Sequence, residues 1–599
     1  MSDQALDMRA TASARPSANR FRFLTKGTFW LAVPGVLFLL AWFVLPSLQM
    51  MSVAFVDDAG VFSAAGFARM VESPLYRRVL GTTFSVGFQV AVLCVLLGYP
   101  LAYWLATLSG RSQRILMMLV LLPFWTSALV KNFSWLVLLG RNGVVSATLG
   151  FFGIEGGQEL LFARGTVIFG MTHTMLPLAV ITMLPVLNQI DKGLLSAART
   201  LGAGSSQAFW RIFFHLSMRG VATAFLLVFV ASLGFFITPA LLGSPKETLI
   251  GQIIIMQIQQ LQNWQFGAVL ALVLMLSTLL AILLFDRVFG ISSVTGGEKP
   301  RNSDNHFRRI GLMINIGLAE VFARVETFWV RNLPGLPSRW ILDVYCVALV
   351  LLLLFPIVGF IPMAFTSNTF MAFPPEGFSM RWFETFFDSP LWVSATVRSF
   401  VVGVITAAVT LGLATMVALS LVRSKGKVST AVFLLFISPM VVPPIVIATS
   451  LFYVFADIGL VATTLGIVIG HTVIALPIVF VVLLATFKGH DWRLDQAAST
   501  LGAGQLAIAW RITLPLVRPG IIVGFITGFL QSFEELTITM FIGGGLITTL
   551  PKQMWDDILF QVNPTLAAAS VIVLLVVTAL FVMMELFGSS AAMSRRTGK

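Results

Sequence analysis

Apolar residues run through this chain in blocks of about twenty or more, set off by short polar breaks, with neither strict alternation nor a one-sided stripe inside them. A helix of that length crosses a hydrocarbon core about 30 Å thick. The blocks fall near 29–50, 79–108, 115–139, 164–187, 220–243 and 265–286, then near 340–365, 396–422, 428–453, 466–487, 520–542 and 565–587. The pattern predicts an all-α polytopic membrane protein with twelve transmembrane helices, six in each half. Continuous apolar runs exclude a β-barrel, whose strands alternate.

The polar breaks carry a repeat. From Asp191 the chain reads DKGLLSAARTLGAGSSQAFWRIFFHLSMRG, and from Asp491 it reads DWRLDQAASTLGAGQLAIAWRITLPLVRPG. Ala197, Ala198, Thr200, Leu201, Gly202, Ala203, Gly204, Trp210, Arg211 and Ile212 each meet the same residue 300 positions later. Gly170, Thr172, Leu176 and Pro177 match Gly470, Thr472, Leu476 and Pro477 in the same register. An even number of spans per half leaves both copies in one orientation, as a parallel repeat requires.

Basic residues set that orientation. Arg9, Arg15, Arg20, Arg22 and Lys26 precede the first span, Arg111 and Arg114 follow the second, and Arg423, Lys425 and Lys427 follow its counterpart. Arg595, Arg596 and Lys599 end the chain. All fall on one side, which the positive-inside rule makes cytoplasmic. The predicted organisation is a cytoplasmic tail at 1–28, a six-span half at 29–286 with its repeated loop at 188–219, and a cytoplasmic linker at 287–339. A second six-span half follows at 340–587, with its loop at 488–519, and then a tail at 588–599. Both termini are expected in the cytoplasm, and no cleavable leader is expected because residues 1–28 contain no apolar core.

Within the linker, Ile310, Ile314, Gly317, Val321, Val325 and Phe328 recur at helical spacing beside Arg309, Glu320, Arg324 and Glu326. That suits an amphipathic helix lying on the inner membrane surface or packed on the protein. The first half also holds a long outward segment between Gly143 and Gly170, where the second half needs only Gly459 to Gly470.

Composition narrows the class further. The chain has 599 residues, 57% apolar and 11% charged, with a mean hydropathy of +0.92, and no soluble class looks like that. The net charge of +13 lies in alternate loops, so it reports topology and not nucleic-acid binding. Cys94 and Cys346 both fall inside apolar spans and predict no disulfide. The five histidines show no metal spacing, and no G-x-x-x-x-G-K-[ST] loop occurs, so neither a metal site nor a phosphate cradle is expected on this chain.

Each repeated loop reads as an elbow. Asp191 or Asp491 is a good helix N-cap. Leu194, Ala197, Ala198 and Leu201 follow at helical spacing, as do Leu494, Ala497, Ala498 and Leu501. Gly202 or Gly502 ends the helix, and a second helix runs through Trp210-Arg211-Ile212 or its twin back to the membrane. A face of small residues can enter a groove in another protein, or it can pack against the chain's own helices.

The elbow resembles the EAA loop of type I ABC importer permeases, whose pattern is Glu-Ala-Ala, three residues, Gly, then nine residues to Ile-x-Leu-Pro. The second copy matches at Ala497, Ala498, Gly502, Ile512, Leu514 and Pro515; the first matches at Ala197, Ala198, Gly202 and Ile212, with Phe214-His215 in place of Leu-Pro. Ser196 and Gln496 stand where the family has Glu. The segments GFFITPALLG at 234–243, SFEELTITMF, TTLP and NPTLAAAS resemble spermidine/putrescine-type permeases, one subunit per half, here fused in one chain.

The resemblance implies the type I permease fold in a bacterial inner membrane and a transport component with no enzymatic activity. It also implies two copies of an ABC ATPase subunit that carry ATP and Mg, and a periplasmic solute-binding protein; this chain itself would hold no cofactor. Ala197, Ala198, Gly202 and Arg211, with Ala497, Ala498, Gly502 and Arg511, would form the ATPase-coupling contacts. The solute would be polyamine-like, although relatives in the same branch carry opines, aminoethylphosphonate, thiamine or ferric iron.

Four polar residues are candidates for the solute path. Glu534 and Glu535 fall within the predicted eleventh span, where a charge facing lipid costs about 2.5–3.5 kcal/mol. One of them is expected to face the path between the halves, and Gln531 lies one turn earlier. Lys131 in the third span would snorkel outward or pair with an acid across the path. The competing reading is an ion-coupled secondary transporter of two six-helix halves, which needs buried coupling charges in both.

Overall fold

The computed structural model describes residues 28–57, 60–140, 143–151, 160–289, 338–369, 377–424, 426–560 and 563–597, with isolated positions at 313, 317, 320, 321, 324, 371 and 375. Most of the N-terminal tail, most of the linker helix expected at 310–328 and residues 152–159 of the outward segment lie outside the described residues. Among the described residues there are helices and two isolated bridges but no strand.

Continuous apolar sequence becomes continuous helix wherever the backbone can satisfy its own hydrogen bonds, which the membrane interior demands. Ten helices are long and apolar enough to cross: Trp30–Val53, Pro74–Thr107, Arg164–Asn188, Phe209–Leu233 and Trp264–Phe285, then Trp340–Ala364, Pro390–Arg423, Thr464–Lys488, Gln505–Phe533 and Thr565–Met584. Two further spans are bent pairs, which brings the number to twelve. Gly110–Trp125 meets Ala128–Leu138 at 89°, and Lys427–Val441 meets Pro444–Asp457 at 99°.

These bends correct the expectation of straight third and ninth spans. In the second half the cause is Pro443-Pro444, because a residue before proline is driven out of the helical region and proline then suits the first turn of a new helix. In the first half Ser127 restarts the helix by accepting the Leu129 N–H at 3.2 Å.

The fifth and eleventh spans also differ from the 220–243 and 520–542 expected. They begin earlier, because the elbow's second arm runs straight into them, and they stop at Leu233 and Phe533. Short helices, Ile237–Leu242 and Thr537–Ile542, follow each stop. The join between elbow and span is a π-helical turn in both halves, Phe209–Phe214 and Ala509–Thr513, so the duplicated Trp-Arg-Ile sits on an overwide turn.

The halves exchange their first helices. Trp30–Val53 packs on the second half: a Cβ on Gly35 would lie 2.7 Å from Phe436 and 2.8 Å from Val417, and Trp42 meets Phe455 edge-on at 5.6 Å. Trp340–Ala364 packs on the first half. There Asp343 accepts from the Trp104 indole at 2.6 Å, the Tyr345 hydroxyl donates to the Leu97 carbonyl at 3.0 Å, and Phe360 meets Phe133 at 5.3 Å.

Candidate functional site

Polar residues gather in two places, the elbows and the breaks at the ends of spans. Each elbow helix, Lys192–Thr200 and Trp492–Thr500, starts where its aspartate accepts a backbone N–H, from Gly193 at 2.8 Å and from Arg493 at 3.1 Å. The Arg493 guanidinium also grips Asp491 with both nitrogens and holds its carboxyl down to about 2. Each helix ends on a glycine in the left-handed region, Gly202 at φ +89° and Gly502 at φ +88°, which any other residue adopts only under strain.

The elbows turn their apolar residues outward. Leu201 and Leu501 are each 88% exposed, and Leu194, Leu494, Ala197 and Ala497 are exposed beside them. Arg211 and Arg511 are exposed on the second arm, while Ala198 and Ala498 are half-buried. Among the described residues, then, most of the small-residue face does not pack on the chain's own helices.

Underneath, the two elbows are fixed differently. In the second, His490 Nε2 lies 2.5 Å from Asp495, whose other oxygen accepts from the Thr513 hydroxyl. Trp492 stands edge-on to His490 at 4.7 Å and lies under the Arg423 guanidinium at 4.6 Å. The corresponding first-half residues are Ile190, Leu195 and Phe213, which belong to one apolar cluster.

The breaks hold the buried charge. Glu534 is the residue at which the eleventh helix stops, and Glu535 follows it in the non-helical step. Neither sits inside a helix, which corrects the expectation drawn from hydropathy. Glu535 turns back on its own half: it accepts the Ile538 N–H at 2.8 Å and lies 3.4 Å from His471 Nε2. His471 also shares hydrogen bonds with Ser532 at 2.7 Å and Thr539 at 3.1 Å. Glu534 is turned elsewhere, and its Oε1 is buried without a hydrogen-bond partner.

Lys131 does not snorkel outward. It is 2% exposed in the first turn after the bend, and its ammonium donates to the Pro123 carbonyl at 2.6 Å. Lys131, just after the first half's bend, and Glu534, at the stop of the eleventh helix, are opposite charges from the two halves that form no direct ion pair. Beside Lys131, Asn132 accepts from the Thr238 hydroxyl at 2.7 Å, closing the first half's break where the second half uses His471.

Residues 95–292 and 408–592, together more than half the chain, each match the family described as binding-protein-dependent transport system inner membrane component. The chain belongs to that family. Similar proteins include the spermidine/putrescine transport system permease protein PotB of Salmonella typhi, 33% identical over 250 residues, which are 41% of this chain and 87% of that protein. The spermidine/putrescine transport system permease protein PotC of Haemophilus influenzae is 29% identical over 213 residues, 35% of this chain and 82% of that protein. A crystal structure of a bacterial alginate ABC transporter in complex with an alginate pentasaccharide-bound periplasmic protein aligns at a TM-score of 0.38 and 17% identity, covering 45% of this chain and 94% of that one.

This inner-membrane protein is therefore the permease component of an ABC importer, with two permease units joined in one polypeptide. It is a transport component and not an enzyme; in its family the ATPase is a separate subunit. The permease buries Lys131 at one break and ends a helix on Glu534 at the other, sends Glu535 to His471 and leaves Gln531 half-buried a turn before the acids. Sequence reasoning missed His471, Asn132 and Gln259, which donates across the halves to the Met540 carbonyl at 2.9 Å. An intramembrane histidine, with Ser, Glu and Thr at the end of the eleventh span and just beyond it, is the signal that pointed to the first.

Proposed function

We propose that this permease imports a cationic, polyamine-type solute by ATPase-driven alternating access. Two ATPase subunits, which hold ATP and Mg, seat on the two elbows through Ala197, Ala198, Gly202 and Arg211 and through Ala497, Ala498, Gly502 and Arg511. A periplasmic solute-binding protein delivers the solute to the outer face, both termini lie in the cytoplasm, and the permease itself binds no cofactor.

The observation that carries this reading is the pair of outward-facing leucines, Leu201 and Leu501, at the tips of two equivalent glycine-ended helices. Apolar side chains displayed that way on the polar side of a membrane protein call for a partner. Because each elbow continues without interruption into a span, a push on the elbow moves the fifth or eleventh helix and the break at its far end. The relatives' spermidine/putrescine substrates, together with Glu534 and its unpaired oxygen between the halves, support a cationic solute. Gln531 and Lys131 belong to the same path. Among the described residues the acids at the breaks stand in the second half, and the first half's break holds Lys131.

Gentle solubilisation of the tagged permease from its native membrane, with mass spectrometry of what co-purifies, tests the assembly. Two ATPase copies per chain and putrescine uptake that stops without ATP are expected. Uptake from an ion gradient in ATP-free vesicles, with no ATPase recovered, would end this reading.

A further inference from the structure

The exchange of contacts at the two breaks is nearly symmetric in shape and fully asymmetric in charge. In one direction, Gly234 at the end of the fifth helix sits against the second half's bend: a Cβ there would lie 2.8 Å from Pro443. In the other direction the equivalent residue is Glu534, and the equivalent bend is the one that starts the helix Ala128–Leu138, with Lys131 in its first turn. The residue that matches Lys131 in the second half, 316 positions later, is Ile447, buried and apolar. Among the described residues the two breaks therefore set a buried ammonium from one half against a carboxylate from the other, without an ion-pair contact between them.

An ammonium has three donors. The Pro123 carbonyl takes one from Lys131 at 2.6 Å and fixes where the head group sits, while Glu534 Oε1 has no donor at all. A carboxylate that stays ionised inside the membrane needs a positive charge close by. Lys131, buried at the matching bend of the other half, is the cation placed to supply it.

We infer that Lys131 is a tethered stand-in for the solute's own ammonium: it balances Glu534 while the path is empty, and an alkylammonium solute takes its place and leaves it to the Pro123 carbonyl. This rests on Glu534 being the path's acid. Lys131 is then a specificity-determining residue that sets a threshold. A solute must offer Glu534 a better-placed ammonium than one already attached to the chain, so small or singly charged cations compete poorly.

The test uses the purified permease with its ATPase subunits and no binding protein, and it measures equilibrium binding of labelled putrescine. Removing the internal competitor in Lys131→Met should tighten binding by at least about fivefold, the scale of a modest coupling between two ligands for one site. Lys131→Arg, which keeps a cation, should bind as weakly as the native chain. Glu534→Gln should lose binding, and Lys131→Met combined with Glu534→Gln should bind no better than Glu534→Gln alone. Lys131→Gln, which keeps a donor for Pro123, carries the same expectation as Met wherever Met lowers the yield of folded complex. If Glu534→Gln binds putrescine normally, the path assignment and this inference fall together. If Glu534→Gln loses binding while Lys131→Met and Lys131→Gln bind no tighter than the native chain, the inference falls alone and Lys131 only braces the bend.

Discussion

At the end of the fifth span the first half has Gly234 and Phe235; at the end of the eleventh the second half has Glu534 and Glu535. Around the first break Asn132 and Thr238 form a neutral bond, whereas around the second His471 gathers Ser532, Thr539 and Glu535. Both halves stop, step and restart at the same positions, so the shape of the break does not depend on which polar residues fill it. Proline, serine caps and glycine make the shape; the charges were placed on one side only. The duplication preserved a scaffold and let its two sides take different work, one supplying the tethered cation and the other the acids.

The sharpest way to break this comparison is to move the acid. Gly234→Glu would push a side chain into Pro443 and bury a carboxylate whose matching bend offers Ile447 in place of Lys131. Overpacking and an uncompensated charge together are expected to cost about 4 kcal/mol or more, seen as loss of monodisperse protein in detergent; a well-folded variant would mean that the halves are interchangeable after all. Next in size, His471→Ala strips partners from Ser532, Thr539 and Glu535. It should destabilise by about 2–3 kcal/mol, against about 1 kcal/mol for Thr238→Val in the neutral break. Thermal unfolding of the two variants compares them directly, and equal losses would show that His471 is no more than filler.

The elbows give the smaller effects. A side chain at Gly202 or Gly502 meets nothing within 4 Å, so Val there costs backbone strain alone, about 1–2 kcal/mol each. Single Val variants should weaken solute-stimulated ATP hydrolysis and the double variant should abolish it, with membrane insertion unchanged; a fully coupled double variant would rule out a role for the turn. Smallest is Asp495→Leu, which gives the second elbow the residue of the first. Loss of the bonds to His490 and Thr513 should lower stability by about 1 kcal/mol, and the reciprocal Leu195→Asp should cost more because it places a carboxylate in the cluster with Ile190 and Phe213.

Much of this was legible in the sequence, and the reasons are local. An aspartate before a short helix and a glycine after it fix the elbow from within about a dozen residues, and the structure places both as the spacing predicts. Span positions follow from hydropathy, which reports length and apolarity. Hydropathy says nothing about direction, so it misses an 89° turn at Ser127 and a 99° turn at Pro443-Pro444. For the same reason it puts Glu534 inside a helix that ends at Phe533. For Lys131 the sequence leaves snorkelling and pairing with an acid across the path both open, because no spacing argument reaches the other half of the chain. His471 finds its partners 61 and 68 residues away, which only the packing of two spans brings about.

The exchanged first helices have a consequence for how the chain is made. Trp30–Val53 emerges well before its seat, which is built from Val417, Phe436 and Phe455, several hundred residues later. At about 5–20 residues per second, that helix waits on the order of tens of seconds for its place. In water such a delay would leave an apolar surface open to aggregation. In a bilayer the waiting helix is already solvated, because lipid tails are as apolar as the leucines it carries. The same delay means that the second half inserts beside a helix already standing in the membrane, so the order of synthesis itself helps to pair the halves within one chain and not between two.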